Sequence, residues 1–403
     1  MKNQKVYLVL SACILLVCSR QAHAQLYPVS HTPVFKVDVP NPTTDKPQSK
    51  LWYMDGQWWA LLPKSSGPSL WQRTAKGWTE DANVTKALSG NPGRVDVCVS
   101  GHQVMAVGTG TNYLMVYQLT MDHKSWRAEV TGRLLAPNGA TGQIETATIV
   151  CDGSGVWWVA ADFGEKVYVW SSPDGRKWKA AVELGNKLNS DDISTLAKLP
   201  QGIGLIWSDQ NQDAVKFRFH SDQKNNPGGE WTAEEMIDQG NRTADDHLHA
   251  ALGQDGTLWL ATKNSVDQIG KPQLVLRVRK ADGKWKNYPF ADLDSVKGPS
   301  RPVVFTIEGS GRVLVGYTEY NAVNTNLGNI KFALADTAKQ GLLSEMKTVV
   351  LPKLDMPKNT FRVNDITGPK SSFPGNGPWI VLSSDQLGNV YEVDLRKLFG
   401  KSY

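Results

Sequence analysis

The chain has 403 residues, 40% of them hydrophobic and 21% charged, which is enough for one large domain or two smaller ones. Its formal net charge is +5, and three of those charges (Lys2, Lys5 and Arg20) lie within the first 24 residues, so the remainder is nearly balanced. That balance gives no support for nucleic-acid binding, and the 15 tryptophans, 36 glycines and 21 prolines favour short strands and turns over helices.

Residues 1–24 are predicted to be a cleaved secretory signal peptide. Lys2 and Lys5 precede an apolar stretch at residues 6–17, and Ala22-His23-Ala24 fits an A-x-A cleavage site. An uncleaved membrane anchor is the alternative. After residue 24 the sequence has no apolar run of about 18 residues or more, the length needed to span a membrane. We therefore expect a periplasmic or secreted protein with no membrane span, in which residues 25–403 form one domain.

A turn followed by a short apolar strand recurs seven times along the chain, mostly about 45 to 55 residues apart. The turns carry Gly56, Gly101, Gly155, Gly202, Gly256, Gly311 and Gly377. The second marker is a tryptophan that follows a polar turn, and it recurs with about the same period at Trp78, Trp126, Trp178, Trp231 and Trp285. Two markers in phase predict an all-β, seven-bladed β-propeller of four-stranded antiparallel blades, with these tryptophans packed between neighbouring blades.

The N-terminal part of the propeller is predicted to close the ring. The last repeat runs out of chain after three strands, whereas residues 33–39 form an unassigned strand-like run. We expect this run to pair as the outer strand of the last blade, which removes an exposed sheet edge. Residues 40–49 then act as a connector to the first blade.

Two cysteines, Cys98 and Cys151, remain after signal cleavage. Both fall near the ends of equivalent strands in neighbouring repeats. An oxidising compartment would permit a disulfide between them. Two buried free thiols are the alternative.

The mouth of the central channel is the predicted location of a functional site, because the innermost strands of a propeller begin there. Polar residues predicted at those strand starts include Arg94, Glu145, Asp192, Asp246, His247, Arg301 and Arg362. Facing loops add Tyr113, Tyr317 and Glu319. Three arginines and several carboxylates at one mouth fit an anionic sugar, whose carboxylate an arginine can bind bidentately. The structural alternative is that these aspartates cap turns.

His247 is the main acid–base candidate, since the neighbouring Asp246 would raise its pKa toward a useful range. His247 and His249 share one strand face, but the other histidines are scattered and no metal site is predicted. Cofactors stay open; a structural Ca²⁺ is compatible with the fold, yet no motif indicates one. The chain also lacks G-x-S-x-G, P-loop, H-E-x-x-H and C-x-x-C motifs.

Two short segments carry resemblances to known families. Ser172-Pro173-Asp174-Gly175-Arg176-Lys177-Trp178 resembles the Asp-box of sialidase-like propellers, one residue shorter, and implies architecture only. The sialidase resemblance would make Tyr317 and Glu319 a nucleophile pair. Asp245-Asp246-His247 resembles secreted bacterial propellers that cleave uronate polysaccharides, such as ulvan lyases and rhamnose–glucuronate-cleaving enzymes. That resemblance implies Arg301 or Arg94 as carboxylate neutraliser, His247 as acid/base and Tyr317 or Tyr113 as its partner.

The sequence thus predicts an exported, monomeric carbohydrate-active propeller that cleaves an acidic, uronate-containing polysaccharide by lyase or glycosidase chemistry. Its expected ligand is an anionic glycan and not a nucleic acid. The alternative is a non-catalytic propeller that binds a glycan or a protein.

Overall fold

The computed structural model describes residues 29–123, 125–137, 142–222, 229–321, 328–336, 342–350 and 363–400. This part of the chain is all-β apart from two short helices. None of its helices is long and apolar enough to cross a membrane. The predicted signal peptide and Arg362 lie outside the described residues.

The strands fall into seven sheets, taken here as blades 1 to 7. Blade 1 comprises β2 (Leu51–Met54), β3 (Gln57–Lys64), β4 (Gly67–Thr74) and β5 (Gly77–Asp81), followed by α1 (Ala82–Ala87). Blade 2 comprises β6 (Val95–Ser100), β7 (Gln103–Thr109), β8 (Tyr113–Asp122) and β9 (Ser125–Leu135). Blade 3 comprises β10 (Ala147–Cys151), β11 (Trp157–Phe163), β12 (Lys166–Ser172) and β13 (Val182–Asn186). Blade 4 comprises β14 (Ser194–Leu199), β15 (Gly202–Asp209), β16 (Ala214–Ser221) and β17 (Glu235–Gln239).

The remaining blades follow the same order. Blade 5 comprises β18 (Leu248–Leu252), β19 (Leu258–Lys263), β20 (Pro272–Arg279) and β21 (Trp285–Asp292). Blade 6 comprises β22 (Lys297–Thr306), β23 (Arg312–Asn321) and β24 (Gly328–Asp336), with two short strands, β25 (Leu342–Leu343) and β26 (Lys347–Val350), in its outer position. Blade 7 comprises β27 (Asn364–Thr367), β28 (Ile380–Ser384), β29 (Asn389–Asp394) and the N-terminal β1 (Phe35–Lys36), and α2 (Arg396–Phe399) follows β29.

The first strand of each blade is the innermost, and the first strands of successive blades contact one another around the channel. Strands within a blade are antiparallel and pair in chain order. The predicted seven-bladed propeller is therefore confirmed. Because strand direction alternates, the chain reaches each innermost strand from one face of the ring, and that face carries the channel mouth.

Ring closure by the N-terminal strand is also confirmed. β1 pairs antiparallel with β29, with Phe35 opposite Val390. The Phe35 ring stacks on Trp71 of blade 1 at a centroid distance of 4.5 Å. One short strand thus completes blade 7 and also packs against blade 1, which joins the two ends of the ring.

The repeated tryptophans pack between blades, as predicted. Trp126 of blade 2 makes edge contacts with Trp52 and Trp59 of blade 1, at centroid distances of 5.8 and 5.4 Å. Trp285 of blade 5 contacts Phe217 of blade 4 in the same way, at 5.8 Å. Each large ring therefore fills the gap that two twisted sheets leave near their outer edges.

Cys98 and Cys151 are both buried, free thiols on the innermost strands of blades 2 and 3. Burial raises the pKa of the Cys98 thiol to about 11, so this thiol is protonated at neutral pH. Of the two alternatives left open by the sequence, the structure has the free thiols.

The connector between β1 and β2 crosses the channel mouth. We call residues 43–50 of it the mouth segment. Its polar groups bond three blades: Thr43 N donates to Ser384 Oγ of blade 7 (3.1 Å), Gln48 Nε2 to Ala147 O of blade 3 (3.1 Å) and Ser49 N to Asp96 Oδ1 of blade 2 (2.8 Å). These three residues are buried. The mouth segment is therefore part of the packed interior of the ring.

Candidate functional site

The centre of the mouth is a histidine held between two carboxylates. Asp245, Asp246 and His247 directly precede β18 of blade 5. His247 Nδ1 lies 2.5 Å from Oδ1 of Asp245 and 2.5 Å from Oδ1 of Asp246. Its Nε2 lies 3.5 Å from Ser300 Oγ. The His247 side chain is only 7% exposed. Because carboxylate oxygens accept hydrogen bonds, Nδ1 is the nitrogen that carries a proton, and the two carboxylates fix the orientation of the ring.

A second acidic group lies beside this histidine. One carboxylate oxygen from each of Glu145, Asp191 and Asp246 lies within 4.8 Å of the other two. Lys46 of the mouth segment forms an ion pair with Asp246, and its Nζ lies 3.7 Å from Glu145 Oε1. Blades 3, 4 and 5 and the mouth segment thus each supply one ionisable side chain to this group.

These carboxyl groups differ in protonation. The pKa of Glu145 is raised to about 8, mainly by burial; Lys46 lowers it, while the charges of Asp162, Asp246 and Asp191 act in the same direction as burial. Burial also acts on Asp246, but its hydrogen bond and ion pair with His247 outweigh burial and hold its pKa below the usual range. Near pH 7 the mouth therefore holds a protonated Glu145 next to an ionised Asp246.

The remaining charges of the mouth are paired. Asp245 Oδ2 accepts hydrogen bonds from Lys263 Nζ at 2.7 Å and from Ser265 Oγ at 3.0 Å. Arg94 NH1 lies 3.3 Å from Asp45 Oδ1, and the Arg94 side chain is 39% exposed. Arg94 is thus the most accessible of these cations.

Arg301 and Asp365 form an ion pair across blades 6 and 7, with Arg301 Nε donating to Asp365 Oδ1 at 2.8 Å. Both residues have left-handed backbone, with φ of 52° and 46°, and each lies where its strand pairing shifts register. Non-glycine residues adopt this conformation at a cost. Both residues line a small cavity together with Asp45 and Lys46, which places the pair against the mouth segment.

The carboxylate trio Glu145, Asp191 and Asp246 is spaced closely enough to ligate a divalent cation. However, the Lys46 ammonium already pairs with Asp246, and Glu145 keeps its proton near pH 7. Hard cations prefer ionised oxygen ligands. The donor set therefore suits acid–base chemistry better than metal binding.

No protein-family model and no curated protein matches this sequence. Solved structures match its fold instead. An ulvan lyase, also solved bound to -[GlcA(1-4)Rha3S]-, aligns over 90% of this chain and 95% of its own, with 11% identity and TM-scores of 0.56 and 0.55. This chain and the ulvan lyase share the propeller fold. NanB sialidase from Streptococcus pneumoniae matches more loosely, with 14% identity, a TM-score of 0.40 and 79% and 56% of the two chains covered. The predicted resemblance to propellers that act on carbohydrates is confirmed at the level of fold.

The structure brings together four of the predicted site residues at the mouth. Glu145, Asp246 and His247 form the cluster described above, and Arg94 lies beside it through Asp45 of the mouth segment. Arg301 also lines the mouth but is bound to a partner carboxylate.

Other predicted residues have mainly structural contacts. Asp192 is buried and accepts hydrogen bonds from the backbone amides of Asn189 (2.8 Å) and Gln210 (3.0 Å), the turn-capping role that was the alternative. The Tyr113 ring stacks under Arg133 of the same blade at 4.5 Å. These contacts give neither residue a bond to His247.

Tyr317 and Glu319 lie together on β23 of blade 6. Burial, reinforced by the charge of Glu319, raises the pKa of Tyr317 well above its usual range. Glu319 Oε2 accepts a hydrogen bond from Lys331 Nζ at 2.9 Å. Among the described residues, no hydrogen bond or ion pair joins either side chain to His247.

His249, which shares a strand face with His247, packs in the core. Its Nδ1 accepts a hydrogen bond from Val304 N at 3.3 Å, and its ring contacts Phe305 edge-on at 5.1 Å. Burial lowers the pKa of His249 to about 3, so the ring is neutral. It acts as a buried acceptor between blades 5 and 6.

Sequence reasoning missed Asp45 and Lys46, which it treated as part of a connector. No motif marks them. The available signal was topological: a chain that leaves the outer edge of blade 7 and enters the innermost strand of blade 1 must cross one face of the ring. That path brings charged connector residues over the mouth.

Proposed function

We propose that this protein is an exported carbohydrate-active enzyme that cleaves glycosidic bonds of an acidic, uronate-containing polysaccharide at the channel mouth. The observation that carries the proposal is the partly exposed, protonated carboxyl group of Glu145. Its side chain is 33% exposed, and its pKa of about 8 leaves it protonated at neutral pH. A carboxylic acid of this kind can protonate the leaving oxygen of a glycosidic bond.

Hydrolysis is the chemistry that the carboxyl spacing supports best. Asp191 is exposed and lies with one oxygen within 4.8 Å of an oxygen of Glu145. Retaining glycosidases place an acid and a nucleophilic carboxylate about 5–5.5 Å apart. In this proposal Glu145 protonates the leaving oxygen as its bond to the anomeric carbon breaks, and Asp191 forms a covalent bond to that carbon. Water, deprotonated by the ionised Glu145, then hydrolyses this intermediate and restores both residues.

Elimination is the second candidate, and His247 favours it. In a lyase a base removes the proton next to a uronate carboxylate, which a cation neutralises. The electron pair of that C–H bond forms a C=C bond and expels the glycosidic oxygen, which an acid such as Glu145 protonates. Asp245 and Asp246 engage Nδ1 of His247, which leaves Nε2, 3.5 Å from Ser300 Oγ, as its basic atom. The ulvan lyase structure bound to -[GlcA(1-4)Rha3S]- supports a uronate substrate for this chain as well.

An anionic substrate fits the charges at the mouth. Near pH 7 the protonated Glu145 does not repel a uronate carboxylate. Arg94, 39% exposed and 3.3 Å from Asp45, can exchange that partner for the substrate carboxylate. We therefore assign Arg94 to substrate binding.

The test incubates the protein with a panel of uronate polysaccharides and measures two products in parallel. New reducing ends without the ultraviolet absorbance of an unsaturated uronate indicate hydrolysis, whereas both signals together indicate elimination. Glu145→Gln should abolish either signal, and Glu129→Gln, at an exposed ion pair on blade 2, should retain it. His247→Ala should abolish the elimination product. Binding of the polysaccharide with no product would refute the enzyme and favour a binding propeller.

Export is part of the same proposal and rests on residues 1–24. The expected mature N-terminus is Gln25. N-terminal sequencing of the protein from the periplasm or medium checks it, and a chain that retains residues 1–24 in the membrane fraction would contradict it.

A further inference from the structure

A cavity away from the channel mouth lies in the outer gap between blades 3 and 4. Its volume is about 300 Å³, at the lower end of the range for small-ligand pockets. It is lined by β12 and β13 of blade 3, by β16 of blade 4 and by the residues before β17. The polar and aromatic lining residues are Trp158, Ser171, Lys179, Arg218, Glu230 and Trp231.

The aromatic wall of this cavity is preformed. Trp231 packs edge-on against Trp158, with centroids 5.8 Å apart, and against the buried His220 ring at 5.3 Å. Trp158 is 3% exposed, while Trp231 is only half-buried and offers part of its ring to solvent. A fixed, partly open indole is a suitable surface for stacking the apolar face of a pyranose.

The cavity lining carries two cationic side chains, Arg218 and Lys179. Neither Arg218 nor Lys179 forms an ion pair with any described residue, and the Arg218 Nε is buried without a hydrogen-bond acceptor. Unsatisfied buried donors are uncommon because they forfeit their hydration. Glu230 contributes one exposed carboxylate, which leaves the lining with a net positive charge.

Of the four equivalent tryptophans, two donate to a carboxylate of the preceding blade, whereas the indole N–H groups of Trp126 and Trp178 are buried with no partner among the described residues. Trp78 Nε1 donates to Glu392 of the preceding blade at 2.7 Å, and Trp285 Nε1 donates to Glu235 of its preceding blade at 2.9 Å. Glu392 also binds Arg73, so that gap is closed by its own carboxylate. Within the described part of the chain, the Trp231 indole N–H has no such acceptor.

We propose that the cavity between blades 3 and 4 is a separate binding site for a single uronate residue. The sugar ring stacks on Trp231, and its carboxylate takes the place that Glu392 and Glu235 hold beside Trp78 and Trp285, accepting hydrogen bonds from Arg218 and Lys179. The site is on the outer rim and does not depend on cleavage at the mouth.

The experiment titrates the full mature protein with sodium glucuronate and follows the indole N–H signal of Trp231 by nuclear magnetic resonance. The signal is assigned by its loss in Trp231→Phe. Glucuronate should shift it saturably, and Arg218→Gln or Lys179→Gln should weaken binding about tenfold or more. Arg279→Gln, in the gap between blades 4 and 5, is the matched control and should bind normally.

Three results would overturn the proposal: an unshifted Trp231 signal, unchanged affinity in both cation variants, or an equal shift with inorganic sulfate or glucose. Because Arg218 and Lys179 are partly or fully exposed, their variants should fold, and unchanged thermal unfolding checks this. Glu145→Gln should leave this titration unchanged. Failure here with intact polysaccharide cleavage would remove the rim site alone.

Discussion

Asp162 offers a quantitative test of the electrostatics beneath the mouth. This carboxyl is 2% exposed, and burial raises its pKa from 3.8 to about 7 even though Oδ2 accepts the Glu145 backbone amide at 2.9 Å. Its Oδ1 is buried without a hydrogen-bond partner among the described residues. Asp162 therefore keeps its proton in the folded protein up to about pH 7, whereas in the unfolded chain the same carboxyl loses its proton near pH 3.8.

The sign and size of the effect follow from proton linkage. Between pH 3.8 and about 7 the unfolded chain has lost the Asp162 proton while the folded chain keeps it, so stability falls as pH rises. Each pKa unit of difference between the folded and unfolded chain is worth about 1.4 kcal/mol, so above pH 7 the ionised Asp162 lowers the free energy of unfolding by about 4 kcal/mol. Asp162→Asn keeps an acceptor for the Glu145 amide and removes the penalty.

Thermal unfolding measured from pH 4 to pH 9 checks this. With an unfolding entropy of about 2.1 cal/mol/K per residue, 4 kcal/mol corresponds to a melting temperature about 5 °C higher for Asp162→Asn above pH 7. The two proteins should converge near pH 4. Asp174→Asn is the opposite control, because backbone amides of Lys177 and Arg176 lower the pKa of this exposed carboxyl. Parallel curves for Asp162→Asn and wild type would refute the reasoning.

Three further predictions concern the site and the ring closure. Glu145→Gln should lower polysaccharide cleavage by about 10²–10⁴-fold, and wild-type kcat should fall above about pH 8 as Glu145 ionises, both read from reducing ends. Lys46→Met should move that alkaline limb to higher pH, since the Lys46 charge lowers the pKa of Glu145; an unmoved limb in the pH–rate profile would contradict it. Glu392→Gln removes the charged partner of Arg73 (2.8 Å) and weakens the acceptor of the Trp78 indole (2.7 Å), so it should lower the free energy of unfolding by about 1.5–3 kcal/mol. Denaturant unfolding measures this, and an unchanged midpoint would mean that ring closure does not depend on this carboxylate.

The fold was predictable because its signals are local and repeated. Each blade is built from hairpins of neighbouring strands, so a turn such as Asp55-Gly56 and a tryptophan such as Trp126 mark it within about 50 residues. Ring closure followed from counting strands in the last repeat. Neither inference needed a long-range contact to be known in advance.

The charge pairing at the mouth was not predictable in this way. Arg301 and Asp365 are 64 residues apart, and Lys46 meets Asp246 across 200 residues. A residue type at a strand start shows that a polar group faces the channel, but not which partner neutralises it. The three arginines therefore suggested cations available to an anionic sugar, whereas the two in the described part of the chain are both paired: Arg301 with Asp365, and the more exposed Arg94 with Asp45.

The mouth segment links the closure of the ring to the chemistry of the site. β1 is bonded to the outer edge of blade 7, and β2 is the innermost strand of blade 1, so residues between them must run from rim to centre. This path delivers Lys46 to Glu145 and Asp246. Thr43, Gln48 and Ser49 hold this segment against blades 7, 3 and 2, which fixes Lys46 at the mouth. The ammonium that lowers the pKa of Glu145 is therefore supplied by the same connector that joins the two ends of the ring.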